Sequence, residues 1–147
     1  MKKKNILLMV FPIVAIILEL LPNGVTMNWG QRMPDGTLGT IQKHCSFFFF
    51  FPAAYGDFAP FFTAILSTVL LIVCLVFVFS GKGKLAVKIV SVAAFVMSVI
   101  ALMMAIVLLS YSSVIGIAIT VTLGVQTVLS FYLLSTKAKT IDIEPTE

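Results

Sequence analysis

Four long apolar segments make up most of this 147-residue chain and constrain its fold more than any other feature. They cover residues 6–22, 58–80, 85–110 and 114–134. Each can cross a hydrocarbon core of roughly 30 Å as an α-helix, although the first, with about 17 residues, is only just long enough. Because 60% of the residues are hydrophobic and only 11% are charged, a water-soluble fold would expose large apolar patches. The sequence therefore predicts an all-α membrane protein.

The lysines indicate how the chain is oriented. Two of the ten basic residues, Arg32 and Lys43, lie in the connection 23–57. The others flank the apolar segments and are Lys2, Lys3, Lys4, Lys82, Lys84, Lys88, Lys137 and Lys139. Since cytoplasmic loops are enriched in Lys and Arg, we expect a multi-pass protein of the plasma membrane with both termini cytoplasmic, the tail 135–147 included, and with 23–57 outside. No basic groove remains for a nucleic acid.

Short connections determine the relative direction of the predicted helices. Residues 81–84 and 111–113 are too few to let consecutive helices run in the same direction, so neighbours must be antiparallel. The sequence predicts a single membrane domain built as an antiparallel four-helix transmembrane bundle.

The first segment also fits a secretory signal peptide, because basic residues precede its apolar stretch. We favour an uncleaved anchor. The apolar run is longer than the usual core of a signal peptide, Glu19 interrupts it, and no small-x-small cleavage site follows it.

The connection 23–57 is long enough to carry structure of its own. Apolar and polar residues alternate over 25–29, residues 33–36 have the composition of a turn, and 40–48 is rich in residues that favour strands. This pattern predicts a small extracellular β-hairpin. An isolated hairpin is only marginally stable, so we expect it to rest on the helices or on the membrane surface.

Aromatic residues are concentrated in the same connection, which includes five consecutive phenylalanines. One interpretation is an aromatic belt at the membrane interface. The other is a surface that contacts a partner protein or a lipid. The residues in question are Trp29, Phe47, Phe48, Phe49, Phe50, Phe51 and Tyr55.

Small residues mark the expected contacts between helices, because lipid-embedded helices associate through close approach and polar contacts. One stripe lies in the third segment and another in the fourth. Both favour packing within the chain, with a homodimer face as the alternative. The residues are Ser91, Ala94, Ser98, Ala101 and Ala105 in the third segment, and Gly116, Thr120 and Gly124 in the fourth.

Two polar residues inside the apolar segments are candidates for function. Glu19 lies three residues before Pro22, so it should sit near the outer end of the first span and bond to a hydroxyl at similar depth. The candidates are Thr63, Thr120 and Thr122. Gln126 lies near the middle of the last span, where a buried amide should find a partner. A structural role is favoured for both, and a proton- or cation-linked role remains the alternative for Glu19.

No catalytic or metal-binding motif is present. His44 is the only histidine, and no Ser/His/Asp set is recognised around it; zinc requires more ligands than His44 and Cys45 offer. Cys45 and Cys74 are too far apart in depth to bridge, although Cys45 could pair between chains. We therefore expect no enzyme activity, no metal and no cofactor.

Two stretches, 17–22 with the sequence ILELLP and 55–61 with the sequence YGDFAPF, resemble a family of small four-span membrane proteins from anaerobic Gram-positive bacteria. The resemblance covers about the first half of the chain. It implies a bacterial plasma membrane and supplies no activity. The overall plan is also similar to the claudin architecture, in which a Trp-Gly pair, here Trp29 and Gly30, precedes a loop cysteine, here Cys45.

The function expected from these features is that of a non-enzymatic membrane protein, a scaffold whose outer loop recognises a partner, a lipid or another copy. The alternative is a small-molecule or ion transporter of the small multidrug-resistance type, which also has four spans and one Glu in the first.

Overall fold

The structure is a computed structural model and describes residues 3–34, 36–48, 58–109 and 114–135. These residues are mostly helical. The elements, in chain order, are α1 (Lys3–Leu20), β1 (Val25–Arg32), β2 (Leu38–Cys45), α2 (Ala59–Ser80), α3 (Lys84–Leu109) and α4 (Val114–Ser135).

Three of the four helices are long and apolar enough to cross a membrane. They are α2, α3 and α4, with mean hydropathies of 2.9, 2.7 and 2.0. The apolar part of α1, Ile6–Leu20, is shorter. The prediction of a helical membrane protein is confirmed at this level.

The distribution of side chains also fits a lipid environment. Large apolar side chains are exposed on all four helices, for example Ile17, Phe79, Val107 and Val128. Polar side chains are buried instead, namely Glu19, Thr63, Ser67, Ser91, Ser98, Gln126 and Ser130. Lipid tails cannot hydrogen-bond, so polar groups are most stable where they meet one another inside the protein.

Pro60 lies in the first turn of α2, where no intrahelical donor is lost.

The connection between α2 and α3 reverses the direction of the chain sharply. Helix α2 ends at Ser80, and the capping residue Gly81 has φ of 70° and donates its N–H to the carbonyl of Phe77 at 2.9 Å. Gly83 has φ of 91°, and α3 begins at the next residue. Two left-handed backbone positions, which glycine adopts readily, thus turn the chain within three residues.

Each helix packs mainly against two others. α1 lies against α2 and α4, and α3 lies against the same two helices from the other side. The small residues of α3 line the interior, with Ser91, Ala94, Ser98 and Ala101 buried and Ala105 half-buried. In α4, Gly116 is buried, and the Cα of Gly124 lies against the ring of Phe95.

The segment between α1 and α2 contains one pair of antiparallel strands. β1 and β2 pair from Val25 with Cys45 to Arg32 with Leu38. The turn is closed by Met33, whose N–H donates to the carbonyl of Thr37 at 2.8 Å and whose carbonyl accepts from Gly36 at 2.9 Å. Several sequence predictions lie outside the described residues, namely those on Phe49, Phe50, Phe51, Tyr55 and the side chain of Trp29.

Candidate functional site

The carboxyl group of Glu19, near the C-terminal end of α1, is buried between the helices. The side chain is fully buried, and Oε1 accepts a hydrogen bond of 2.7 Å from the hydroxyl of Ser67 on α2. Its second oxygen, Oε2, has no hydrogen-bond partner within the described residues. A buried carboxyl with one oxygen unsatisfied is costly to maintain, so this atom marks the site as a functional candidate.

The partner of Glu19 is Ser67 and not one of the three threonines expected from the sequence. Those threonines bond to backbone carbonyls instead, Thr63 to Ala59, Thr120 to Gly116 and Ser98, and Thr122 to Ala118. Side chains on a helix point back toward its N-terminus. The carboxyl of Glu19 therefore lies deeper than its Cα and meets Ser67, one turn beyond Thr63.

The backbone of Glu19 bonds to the segment between α1 and α2. Its carbonyl accepts the N–H of Phe47 at 3.0 Å, just after β2 ends. The ring of Phe47 is 4% exposed and packs so closely on Gly24 that a Cβ there would lie 2.7 Å from the ring. Glu19 therefore links α1 to α2 through its side chain, and to the end of the strand pair through its main chain.

A second buried polar cluster surrounds Gln126 on α4. Pro12 lies inside α1 and has no N–H, so the carbonyl of Leu8, four residues earlier, lacks its helical donor. The amide Nε2 of Gln126 donates to this carbonyl at 3.2 Å. An interhelical bond from α4 thus replaces the bond that proline removes from α1.

The Gln126 cluster extends to the other two helices. Nε2 of Gln126 also lies 3.3 Å from the hydroxyl of Ser130 and 3.8 Å from the thiol of Cys74 on α2. The hydroxyl of Ser130 is 3.1 Å from that of Ser91 on α3. All four helices therefore meet at Gln126. Its Oε1 is buried and has no partner in the described part of the chain.

The two clusters are separate. Leu8 and Glu19 are eleven residues apart on α1, which corresponds to about 16 Å along the helix axis. Within the described residues no group of three metal-binding side chains is found, and Cys45 and Cys74 are both buried as free thiols. The clusters can donate and accept hydrogen bonds, and each offers one unsatisfied oxygen to a proton, a cation or a polar ligand.

Sequence reasoning missed two of these residues. Ser67 is one of several hydroxyl residues in its span, and nothing in the sequence distinguishes it. Pro12 had a readable signal, because a proline in a membrane helix leaves a carbonyl four residues earlier that needs a donor.

Comparison of the chain with known protein families, with curated proteins and with solved structures finds no match.

Proposed function

We propose that the protein is a non-enzymatic integral membrane protein of the plasma membrane, a scaffold whose outer segment recognises a partner protein or a lipid. In this proposal the four helices form an antiparallel transmembrane bundle and both termini are cytoplasmic. The lysines that flank the helices support this orientation, because all but Arg32 and Lys43 then lie on the cytoplasmic side.

The observation that supports recognition is the attachment of the outer segment to the helices. Phe47 is bonded through its N–H to Glu19 and packed through its ring on Gly24. A surface held in one position loses less conformational entropy on binding than a free loop. Leu38, at the far end of the strand pair, is 83% exposed, an apolar side chain that a partner or a lipid can cover.

The proposal gives the phenylalanines after β2 two different roles. Phe47 is the buried anchor, whereas Phe48 is half-buried and packs against the core. In the proposal, Phe48 and the phenylalanines that follow it make the contact with the partner. Flat aromatic rings commonly provide binding hot spots of about 2 kcal/mol or more.

The test replaces Phe48 and Phe50 together by Leu, which keeps most of the apolar area. We expect the recovery of a co-purifying protein or lipid from native membranes to fall at least tenfold, with no change in thermal stability. The matched control is Phe62→Leu with Phe79→Leu, two exposed rings on α2. Equal recovery from wild type and both variants would contradict recognition through the aromatic stretch.

A second candidate function is proton- or cation-coupled transport of a small molecule, as in the small multidrug-resistance type. The specific observation in its favour is the buried Oε2 of Glu19, which lacks a partner in the described residues. In Glu19→Gln the amide oxygen can still accept from Ser67, but the group can no longer exchange a proton. A scaffold should keep its fold and its partner binding in this variant, whereas a coupled transporter should lose uptake driven by a proton gradient in proteoliposomes.

A further inference from the structure

A groove of about 640 Å³ lies on the outer side of the contact between α3 and α4. Its size is within the range of about 300 to 1,000 Å³ that is usual for ligand sites. The lining is almost entirely apolar, with Phe95 on α3 and Val121, Gly124, Val125, Val128 and Tyr132 on α4.

The depth of the groove comes from Gly124. A Cβ at this position would lie 3.1 Å from Cε2 of Phe95, so a side chain here would close the gap between the two helices. Val121 and Val128, each about one turn away, are 61% and 70% exposed and form the rim. The groove thus has a glycine floor, an aromatic wall and an aliphatic rim.

A cation lies beyond one end of the groove. Lys88 is two turns from Phe95 on the same face of α3, toward the end at which α4 carries Tyr132. Its Nζ donates to the hydroxyl of Ser135 at 3.2 Å and lies 5.1 Å from the centre of the Phe131 ring. These contacts place the ammonium group against the end of α4.

Lys88 has no carboxylate partner in the part of the chain that the structure describes. Glu19 is the only acidic residue there, and its side chain bonds to Ser67. An ionisable side chain within a membrane helix is costly unless it meets a counter-charge or reaches the interface. Within the described residues the charge of Lys88 is therefore uncompensated.

We propose that this groove binds one anionic phospholipid, with an acyl chain on Gly124 and Phe95 and the headgroup phosphate at Lys88. Basic pockets between membrane helices are known to bind anionic headgroups. Charge argues against a second copy of the chain as occupant, because a two-fold contact along this face would bring two copies of Lys88 toward each other. The inference does not depend on the function of the outer segment.

The first test measures binding of phosphatidylglycerol, with phosphatidylcholine as the neutral comparison, to the full chain in detergent by native mass spectrometry. Lys88→Gln should weaken retention of phosphatidylglycerol at least tenfold and leave phosphatidylcholine unchanged. The matched control is Lys82→Gln, which removes the same charge from the turn before α3. An equal loss in both variants would overturn the proposal, because it would show a general charge effect.

The second test fills the groove. Val128→Trp should displace the acyl chain and abolish the preference for phosphatidylglycerol, whereas Val76→Trp, on the exposed face of α2 and outside the groove, should not. Unchanged lipid binding in Val128→Trp would overturn the proposal. So would a wild-type dimer that Val128→Trp converts to a monomer with its lipid binding intact, because the groove would then be a contact between copies. If Val128→Trp does not fold, the Lys88→Gln comparison decides the question alone.

Discussion

The contribution of the hydrogen bond between Gln126 and the carbonyl of Leu8 to stability should depend on whether residue 12 is a proline. In the wild-type chain, Gln126→Met removes the only donor that this carbonyl has among the described residues. In a Pro12→Ala background, residue 12 regains an N–H, which can donate to Leu8 within α1. The cost of losing Gln126 should therefore be smaller once Pro12 has been replaced.

The magnitude follows from what is lost in each background. Interhelical hydrogen bonds in membranes average about 0.6 kcal/mol in double-mutant cycles and reach about 1.7 kcal/mol. The bond from Gln126 to the Leu8 carbonyl is long, at 3.2 Å, but both residues are fully buried. Without Gln126, this carbonyl therefore cannot bond to water instead. We expect a coupling free energy between positions 12 and 126 of about 1 kcal/mol. The bonds of Gln126 to Ser130 and Cys74 are lost in both backgrounds and cancel in the cycle.

The assay is the free energy of unfolding in mixed micelles for wild type, the two single variants and the double variant. The control cycle pairs Gln126→Met with Pro60→Ala, because Pro60 lies in the first turn of α2, where its missing N–H leaves no carbonyl unsatisfied. That cycle should show no coupling. Additive effects in the Pro12 cycle, or equal coupling in both cycles, would refute the reasoning.

Three further predictions follow from the contacts around α1 and from the proposed orientation. Gly24→Ala should lower the free energy of unfolding by about 1 to 3 kcal/mol, because the new Cβ meets the Phe47 ring. The control is Gly30→Ala, whose Cβ would have nothing within 4 Å and should not overpack. A similar loss of unfolding free energy in both variants would rule out the Phe47 contact as the cause. Ser67→Ala should lower the free energy of unfolding by about 1 to 3 kcal/mol, because it leaves both oxygens of Glu19 unsatisfied. The control, Ser80→Ala at an exposed position, should lower it by at most about 0.5 kcal/mol in the same unfolding assay. In intact cells, a membrane-impermeant thiol reagent should label Thr37→Cys and spare Lys82→Cys, both made in a background without Cys45 and Cys74, and the reverse pattern would contradict the orientation.

Long apolar runs and their lysine flanks were sufficient to predict the helices, because length and composition decide whether a segment can cross a membrane. The described helices α1 to α4 overlap the four apolar runs. These features are local, so a single segment contains all the information they need.

The contacts of the buried polar groups were not predictable in the same way. Gln126 and Leu8 are 118 residues apart, and the rotation of each helix about its axis depends on packing against two others. The sequence indicates the depth of Glu19 but not which hydroxyl at that depth faces it. In the same way, the run of phenylalanines gives no sign that Phe47 is buried, since this depends on where β2 meets the end of α1.

The helices also differ in length, and this difference has a mechanical consequence for the bilayer. The apolar part of α1, Ile6–Leu20, rises about 22 Å, whereas α3, from Lys84 to Leu109, rises about 39 Å. If α1 spans the bilayer as proposed, a hydrocarbon layer of roughly 30 Å has to thin beside it, while α3 has to tilt or extend beyond that layer. Such deformation costs a fraction of a kcal/mol per Å of mismatch, which is sufficient to sort proteins between membranes of different thickness. In the proposed four-span arrangement the mismatch is therefore uneven around the protein, with the thinnest lipid layer beside α1.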